Sequence, residues 1–390
     1  MKILFVSATE YAIEHFAGPY ILALQKAGHE IHVLTGGEIG NYQGPESVVR
    51  KAIGLKRKPS PFSDLKELFS LTRYIRKHKF SVIYSISPKG GLIGQMAAKL
   101  AMVKHRVHFV TGQTWKTRSG IGRWGLKKLD WLICQLVSKA YVDSRSQAEF
   151  LIEQKVLKRR KANVLASGSV SGVVVNEFLF SQEKRDRVRA QYNITDENVL
   201  IFFLGRISSV KGVTDLVEAF AQAYKRNDQL RLLVVGPDDG DADAVASKIK
   251  QHGLEQVVTA TGTSTPRPAV QYSAADIFCV PSYMEGFGNV VLESACAGVP
   301  TIGSDIYGLP DAIVDGETGL RYELGNISEL ADKLVQLAND EPLRKQLGQN
   351  ALARVKAEFA QEHLVKAFIE AHAQMVEPTA GAQSPTETTR

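Results

Sequence analysis

Short runs of consecutive apolar residues, each followed by a helical stretch, recur along this chain and constrain its fold more than any other feature. "KILFVS" (2–7), "EIHVLT" (30–35), "SVIYSI" (81–86), "RVHFVT" (106–111) and "AYVDS" (140–144) form a first set. "VLIFFLG" (199–205), "RLLVVG" (231–236), "DIFCVPS" (276–282) and "VPTIGS" (299–304) form a second. A strand with one wet face alternates apolar and polar residues, whereas a strand covered on both faces is apolar at successive positions. Such strands interleaved with helices make a doubly wound parallel sheet. Two sets within 390 residues predict two Rossmann-like α/β domains in series. The polar stretch near 176–195 marks the junction, with the first domain over 1–180 and the second over 181–361. A helix at about 362–376 is placed to return to the first domain. The tail 377–390, rich in Pro, Gly, Ser and Thr, has little to bury and is expected to be disordered.

Charge separates the two halves. Residues 1–180 carry 28 Lys and Arg against 12 Asp and Glu, whereas 181–390 carry 20 against 29. No acid occurs from Lys99 to Lys128. A solvated surface would account for this, and so would a face that meets an anionic membrane or a lipid diphosphate. No zinc-finger spacing, aromatic RNA-binding pattern or repeat points to nucleic acid. Helix 62–79 places Leu65, Leu68, Phe69 and Ile75 on one face with Arg73, Arg76 and Lys77 around it, either as a core helix or as one lying on a membrane. No segment reaches the ~20 apolar residues of a membrane span. Three cysteines at wide spacing make neither a disulfide framework nor a zinc site. The expected location is the cytoplasm.

Ligands of doubly wound sheets bind beyond the carboxyl ends of strands, where helix N-termini present free amides. "GRISSVKG" (205–212) follows the first strand of the second domain. Gly205 leaves the strand, and Arg206 and Lys211 flank a turn that opens a helix, a pattern suited to a diphosphate. It lacks the glycine spacing of a P-loop. "MEGFGNVVLESACAGVP" (284–300) follows another strand. Gly286, Phe287 and Gly288 let backbone approach a ligand, Asn289 is placed to cap the helix, and the amides up to Val290 are placed to hold phosphate. Glu293, one turn inside, is placed for a ribose, and Glu285 lies forward where a sugar would sit. Two acids here would also simply complement the helix dipole. In the first domain, His15 and Gly18 ("EHFAGPY"), Lys89 ("SPKGG") and Thr111 ("FVTGQ") are candidate acceptor contacts, His15 equally a helix-start residue and "SPKGG" equally a tight turn. His108 alternates with Phe109 on a strand and reads as structural. The Asp-x-Asp pairs of "DDGDADA" (238–244) lack an oxygen cage, so no metal site is expected.

The segment "PSYMEGFGNVVLESACAGVPTIGSDIYGLPDAIVDGETGLRY" (281–322), with Glu285 and Glu293 in a Glu-x7-Glu spacing, resembles the family-4 retaining glycosyltransferases of GT-B fold. "FLGRISSVKG" is similar to their diphosphate-binding loop. The resemblance implies two Rossmann-like domains facing a cleft, with a nucleotide diphosphate sugar on the second domain and an acceptor on the first. It further implies Glu285, Arg206 and Lys211 at the reaction centre, donor contacts from Glu293 and residues 286–290, no metal or other cofactor, and UDP rather than GDP as carrier. The first half ("SPKGGLIGQMAAKLA", "FVTGQTWKTR", "DSRSQAEFL") is similar to enzymes that build surface polysaccharide or oligosaccharide on a polyprenyl-diphosphate carrier, which implies work at the inner face of the cytoplasmic membrane. Two departures stand out. Thr111 occupies the place where many relatives have a histidine, and Gly172-Val173-Val174 replaces a frequent Gly-Val-Asp. A sugar-nucleotide epimerase of the same fold and a non-catalytic nucleotide-sugar or lipid-binding protein remain as alternatives. A nicotinamide dehydrogenase is disfavoured, since no strand is followed by a full Gly-x-Gly-x-x-Gly.

Overall fold

The computed structural model describes residues 1–36, 48–55, 60–262 and 269–377. Lys56, Arg57 and Lys58, and the tail from 378 onward, lie outside them. The first sheet contains β1 (Lys2–Ser7), β2 (Glu30–Gly36), β3 (Val49–Ile53), β4 (Val82–Ile86), β5 (His105–Val110), β6 (Lys139–Val142) and β7 (Ala162–Asn163), in the order β3-β2-β1-β4-β5-β6-β7. The second contains β8 (Val199–Leu204), β9 (Leu230–Val235), β10 (Val258–Ala260), β11 (Ile277–Val280), β12 (Thr301–Ser304) and β13 (Gly319–Tyr322), in the order β10-β9-β8-β11-β12-β13. Every strand pairing in both sheets is parallel.

Side-chain alternation divides the core of the first domain. Ile3, Phe5, Tyr84 and Phe109 pack on one face beneath helices Glu10–Lys26 and Gln361–Val376. Leu4, Val6 and Ile83 pack on the other against Leu68, Leu71, Ile93 and Ala97, from helices Pro61–His78 and Pro88–Leu100. Helix Gln361–Val376 follows the second domain in sequence, yet it buries Phe368 completely in the first. Phe368 stacks on Tyr20 with ring centroids 4.2 Å apart, and the Tyr84 hydroxyl lies 2.7 Å from His372 Nδ1. The chain therefore crosses between the domains twice. The crossings run side by side: the Val173 amide donates to the Phe359 carbonyl and the Gln361 amide to the Val173 carbonyl, each at 3.0 Å.

Four strands carry too weak an apolar signal to be read from sequence. β3 is a sheet edge of sequence "VRKAI", exposed or half-exposed throughout. β7, β10 and β13 are edge or near-edge strands of two to four residues. Helix Pro61–His78 also departs from expectation. Leu68, Leu71 and Ile75 face the sheet, but Leu65 and Phe69 are 53% and 63% exposed. At ~100° per residue, the row of Phe62, Leu65 and Phe69 lies roughly a third of a turn from the buried row. The polar junction is itself ordered. Helix Gln182–Gln191 is bound to the second sheet by Arg185 and Arg189, which grip Asp276 at 3.0 and 3.1 Å, and Arg189 is only 3% exposed.

Candidate active site

A cavity of about 1010 Å³ lies between the domains at the carboxyl ends of the strands. That is the position at which doubly wound sheets bind ligands. Beyond β8, Gly205, Arg206 and Lys211 line it. Arg206 pairs with Asp239, an acid of the "DDGDADA" loop. Asp238 next to it accepts the amides of Gly240 and Ala242 and so shapes that loop. Lys211 Nζ lies 2.5 Å from Glu285 Oε1, which also accepts the Ser282 hydroxyl at 2.7 Å. Both cations are thus paired with carboxylates.

Beyond β11 the loop 281–288 feeds helix Asn289–Cys296. Gly288 occupies the N-cap at φ +91° with no side-chain cap, and Gly288, Asn289 and Val290 line the cavity, while the Val291 amide donates to the Gly288 carbonyl at 2.8 Å. Asn289 is not the cap that its sequence position suggested. Because the left-handed Gly288 takes the cap, Asn289 becomes the first helical residue and bonds across the domains to Ser169 and Ser171 at 2.9 and 2.8 Å. Phe287 is 2% exposed and packs against Phe359. Gly286 packs tightly against the first domain: a Cβ there would sit 2.4 Å from Asp143 Oδ2 and 3.2 Å from the Gly112 amide. Glu293 accepts the Tyr272 hydroxyl at 2.7 Å. Burial, with a minor push from Glu177, raises its carboxyl to about 7 against the opposing Tyr272 bond.

The first domain contributes Tyr11, His15, Phe16, Thr111, Gly112 and Asp143. His15 belongs to helix Glu10–Lys26, stacks on Tyr11 at 5.3 Å, and burial lowers its pKa below the usual imidazole value. Thr111 follows β5 directly. The run "EHFAGPY" lies within helix Glu10–Lys26, which puts Gly18 mid-helix and off the cavity wall. Lys89 opens helix Pro88–Leu100 as expected but pairs with Asp64 at 2.7 Å and does not line the cavity. His108 is a core residue, 2.8 Å from Ser85 Oγ, with its pKa pushed down to about 4 by burial.

Asp143 is one of several cavity residues that the sequence does not single out; Tyr11, Asn176, Glu177 and Lys184 are others. Asp143 is 6% exposed, its Oδ1 accepts the Val170 amide at 3.2 Å, and its carboxyl is raised to about 7 by burial, opposed by that bond and aided by the nearby Glu285 charge. Its sequence signal is a charged residue ending the apolar strand "AYV". Next to it the domains are clasped: Asp311 accepts the amides of Arg145 and Ser146 at the start of helix Arg145–Glu153, at 3.0 and 3.1 Å, and the Ser144 hydroxyl donates to the Gly286 carbonyl. A carboxylate at a helix N-terminus satisfies otherwise orphaned amides.

Two Rossmann-like domains, each built on a parallel sheet and facing one cavity, define a GT-B architecture. Comparison with known proteins agrees. The family model "Glycosyl transferase 4-like domain" matches residues 13–168, and "Glycosyl transferases group 1" matches 184–354. This chain belongs to the family-4 glycosyltransferases of GT-B fold. It is 28% identical to the capsular polysaccharide biosynthesis glycosyltransferase CapM of Staphylococcus aureus, over 87% of this chain and 88% of that one. It is 26% identical to the N,N'-diacetylbacillosaminyl-diphospho-undecaprenol alpha-1,3-N-acetylgalactosaminyltransferase of Campylobacter jejuni, over 90% and 93%. The Anabaena protein Alr3699/HepE, solved with UDP and glucose, superposes with a TM-score of 0.79 at 18% identity, over 96% of this chain and all of that one.

Proposed function

We propose that this chain moves a hexose or N-acetylhexosamine from a UDP-sugar to a polyprenyl-diphosphate-linked glycan, with retention of anomeric configuration, during assembly of a capsular or other surface polysaccharide. The observation that carries this reading is the convergence of Arg206, Lys211 and the uncapped start of helix Asn289–Cys296 on one cavity with Glu285 and Glu293. The diphosphate lies against the two cations and the amides, the ribose against Glu293, and the donor sugar between Glu285 and the first-domain wall. The C–O bond to the leaving phosphate breaks as charge grows on the diphosphate. Fixed cations and dipoles stabilise that charge without reorganising. The acceptor hydroxyl attacks from the same face and passes its proton to the leaving phosphate oxygen. The protein supplies no nucleophile in this scheme and requires no divalent ion.

The carrier and acceptor readings draw on the named relatives. The Campylobacter enzyme's name includes a diphospho-undecaprenol, CapM's includes capsular polysaccharide, and the Anabaena structure holds UDP. Among the described residues no helix is long and apolar enough to cross a membrane. On this reading the chain works at the inner face of the cytoplasmic membrane, held there by its basic first domain. The test is a panel of UDP- and GDP-sugars, with and without polyprenyl-diphosphate-linked acceptor in vesicles, read by nucleotide diphosphate release and by the anomeric configuration of the product. Acceptor-dependent release that persists in excess chelator and gives a retained linkage is expected. Conversion of the donor to an epimerised sugar nucleotide, without acceptor and without net release of nucleotide diphosphate, would instead support the epimerase.

A further inference from the structure

Among the described residues the Glu293 carboxylate accepts one hydrogen bond, from the Tyr272 hydroxyl at 2.7 Å. The donor is held more firmly than the acceptor. Tyr272 lies on the short helix Ala269–Ala274 and is fully buried. Phe178, Phe202 and Phe278 meet its ring edge to face, with centroids 5.9, 5.3 and 5.3 Å away. A ring caged in this way can place its hydroxyl at one point only, and a buried tyrosine hydroxyl needs a partner there. Phe178 belongs to helix Val175–Phe178, just past the first crossing between the domains.

Glu293 itself is half-buried and lines the cavity. An ionised carboxylate only accepts hydrogen bonds, and its two oxygens offer about four sites. Tyr272 takes one of them on Oε2 and leaves the others for a ligand. Two hydroxyls on neighbouring carbons of a ribose need both oxygens in one plane and in acceptor form. The surroundings otherwise oppose that form. Burial, and the like charge of Glu177 on helix Val175–Phe178, raise the carboxyl to about 7. Cys296, one turn on along the same helix, has its thiol pushed up to about 12 and stays neutral, with Lys356 of the return crossing acting on it. The cations of the cavity wall, Lys184, Arg206 and Lys211, do not offset the shift. The Tyr272 bond alone favours the anion.

We propose that Tyr272 is a positioning residue for the nucleotide: its hydroxyl locks the Glu293 carboxylate, as an acceptor, in the plane that receives both ribose hydroxyls. Recognition of the donor then depends on an intact ribose diol and on a tyrosine that never touches it. This rests on the placement of Glu293 at the ribose proposed above and extends it to the residue that prepares Glu293 for that contact.

The experiment is calorimetry on the full chain with uridine diphosphate and with its 2′,3′-dideoxy analogue, between about pH 5.5 and 8.5. Both carry the same diphosphate, so its own titration cancels in the ratio of their affinities. Wild type should prefer uridine diphosphate above pH ~7 and lose that preference as Glu293 takes up a proton below it. Tyr272→Phe removes one oxygen and keeps the caged ring. It should weaken uridine diphosphate at neutral pH by roughly tenfold or more, the scale for losing a hydrogen bond to a charged group. It should also move the midpoint of the preference up by about one pH unit, the equivalent of that tenfold, and leave binding of the analogue as in wild type. In the Glu293→Gln chain, Tyr272→Phe should add nothing. 3-Fluorotyrosine at position 272 alone, a more acidic phenol of nearly the same shape, should move the midpoint down, and it provides the readout should phenylalanine disturb folding. The proposal is overturned if Tyr272→Phe weakens both nucleotides alike, if it still weakens uridine diphosphate in the Glu293→Gln chain, if folded Tyr272→Phe keeps the wild-type midpoint, or if 3-fluorotyrosine leaves that midpoint unmoved. Wild type that binds neither nucleotide, or both alike at every pH, takes Glu293 off the ribose and overturns the proposal together with the placement beneath it.

Discussion

Asp143→Asn should change how stability depends on pH. The Asp143 carboxyl faces Gly286 of the second domain and is raised from 3.8 to about 7 chiefly by burial. An acid with a raised pKa keeps its proton in the folded protein over a range where the unfolded chain has lost it. Its contribution to stability is complete below pH ~4 and is lost as pH rises through ~7. A rise of that size corresponds to roughly 4 kcal/mol of charge burial when the group is fully ionised. Asparagine preserves the shape and an oxygen for the Val170 amide but never ionises. Glu293 and Asp130 are also raised by burial, to about 7 and about 6, but they titrate alike in both proteins and cancel in the difference. Urea unfolding of wild type and variant from pH 4 to 9 should show the curves parting above pH ~5, the variant becoming the more stable by a few kcal/mol at pH 8–9. Superimposable pH profiles would refute the reasoning, because they would mean that the Asp143 carboxylate bears no burial cost in the fold.

Three further outcomes can be checked on the same protein. Glu293→Gln should weaken calorimetric binding of the nucleotide diphosphate, whereas Glu285→Gln should leave that binding near wild type and lower kcat, the pattern of an interaction felt mainly in the transition state. The reverse result would exchange their roles. Arg206→Ala and Lys211→Ala should each lower kcat by ~10²-fold or more, the scale for losing one stabiliser of developing charge, and steady-state kinetics with unchanged turnover would remove them from the diphosphate site. Gly286→Ala should lower the melting temperature because its new Cβ meets Asp143 Oδ2 at 2.4 Å, and Asp143→Ala in the same chain should recover part of that loss. No recovery would place the strain elsewhere.

The central strands were legible because burial on both faces leaves unbroken apolar runs, as in "KILFVS" and "VLIFFLG". β3 was not, because an edge strand with exposed Val49 and Lys51 looks like loop. The second-domain half of the site was legible because a glycine-rich loop, a strand end and a helix start are adjacent in sequence. The first-domain half is gathered from distant segments, and no local pattern shows that Asp143 meets Gly286 or that Asp311 meets Arg145 and Ser146. Helical periodicity found an apolar face on Pro61–His78 but merged two rows, since ~100° per residue spreads neighbouring stripes over adjoining sectors. Lys89 reads locally as a candidate acceptor contact, and its pairing with Asp64 depends on a residue 25 positions earlier.

The return of helix Gln361–Val376 to the first sheet bears on how the chain is made. The face that holds Tyr20, Tyr84 and Phe109 lacks its last covering until Phe368 leaves the ribosome. Roughly 180 residues of second domain are made in between, which takes about 9–36 s at 5–20 residues per second. During that interval an aromatic surface stays open to solvent and to neighbouring nascent chains. The domain synthesised first is therefore the one completed last, and its closure waits on emergence of nearly all of the other.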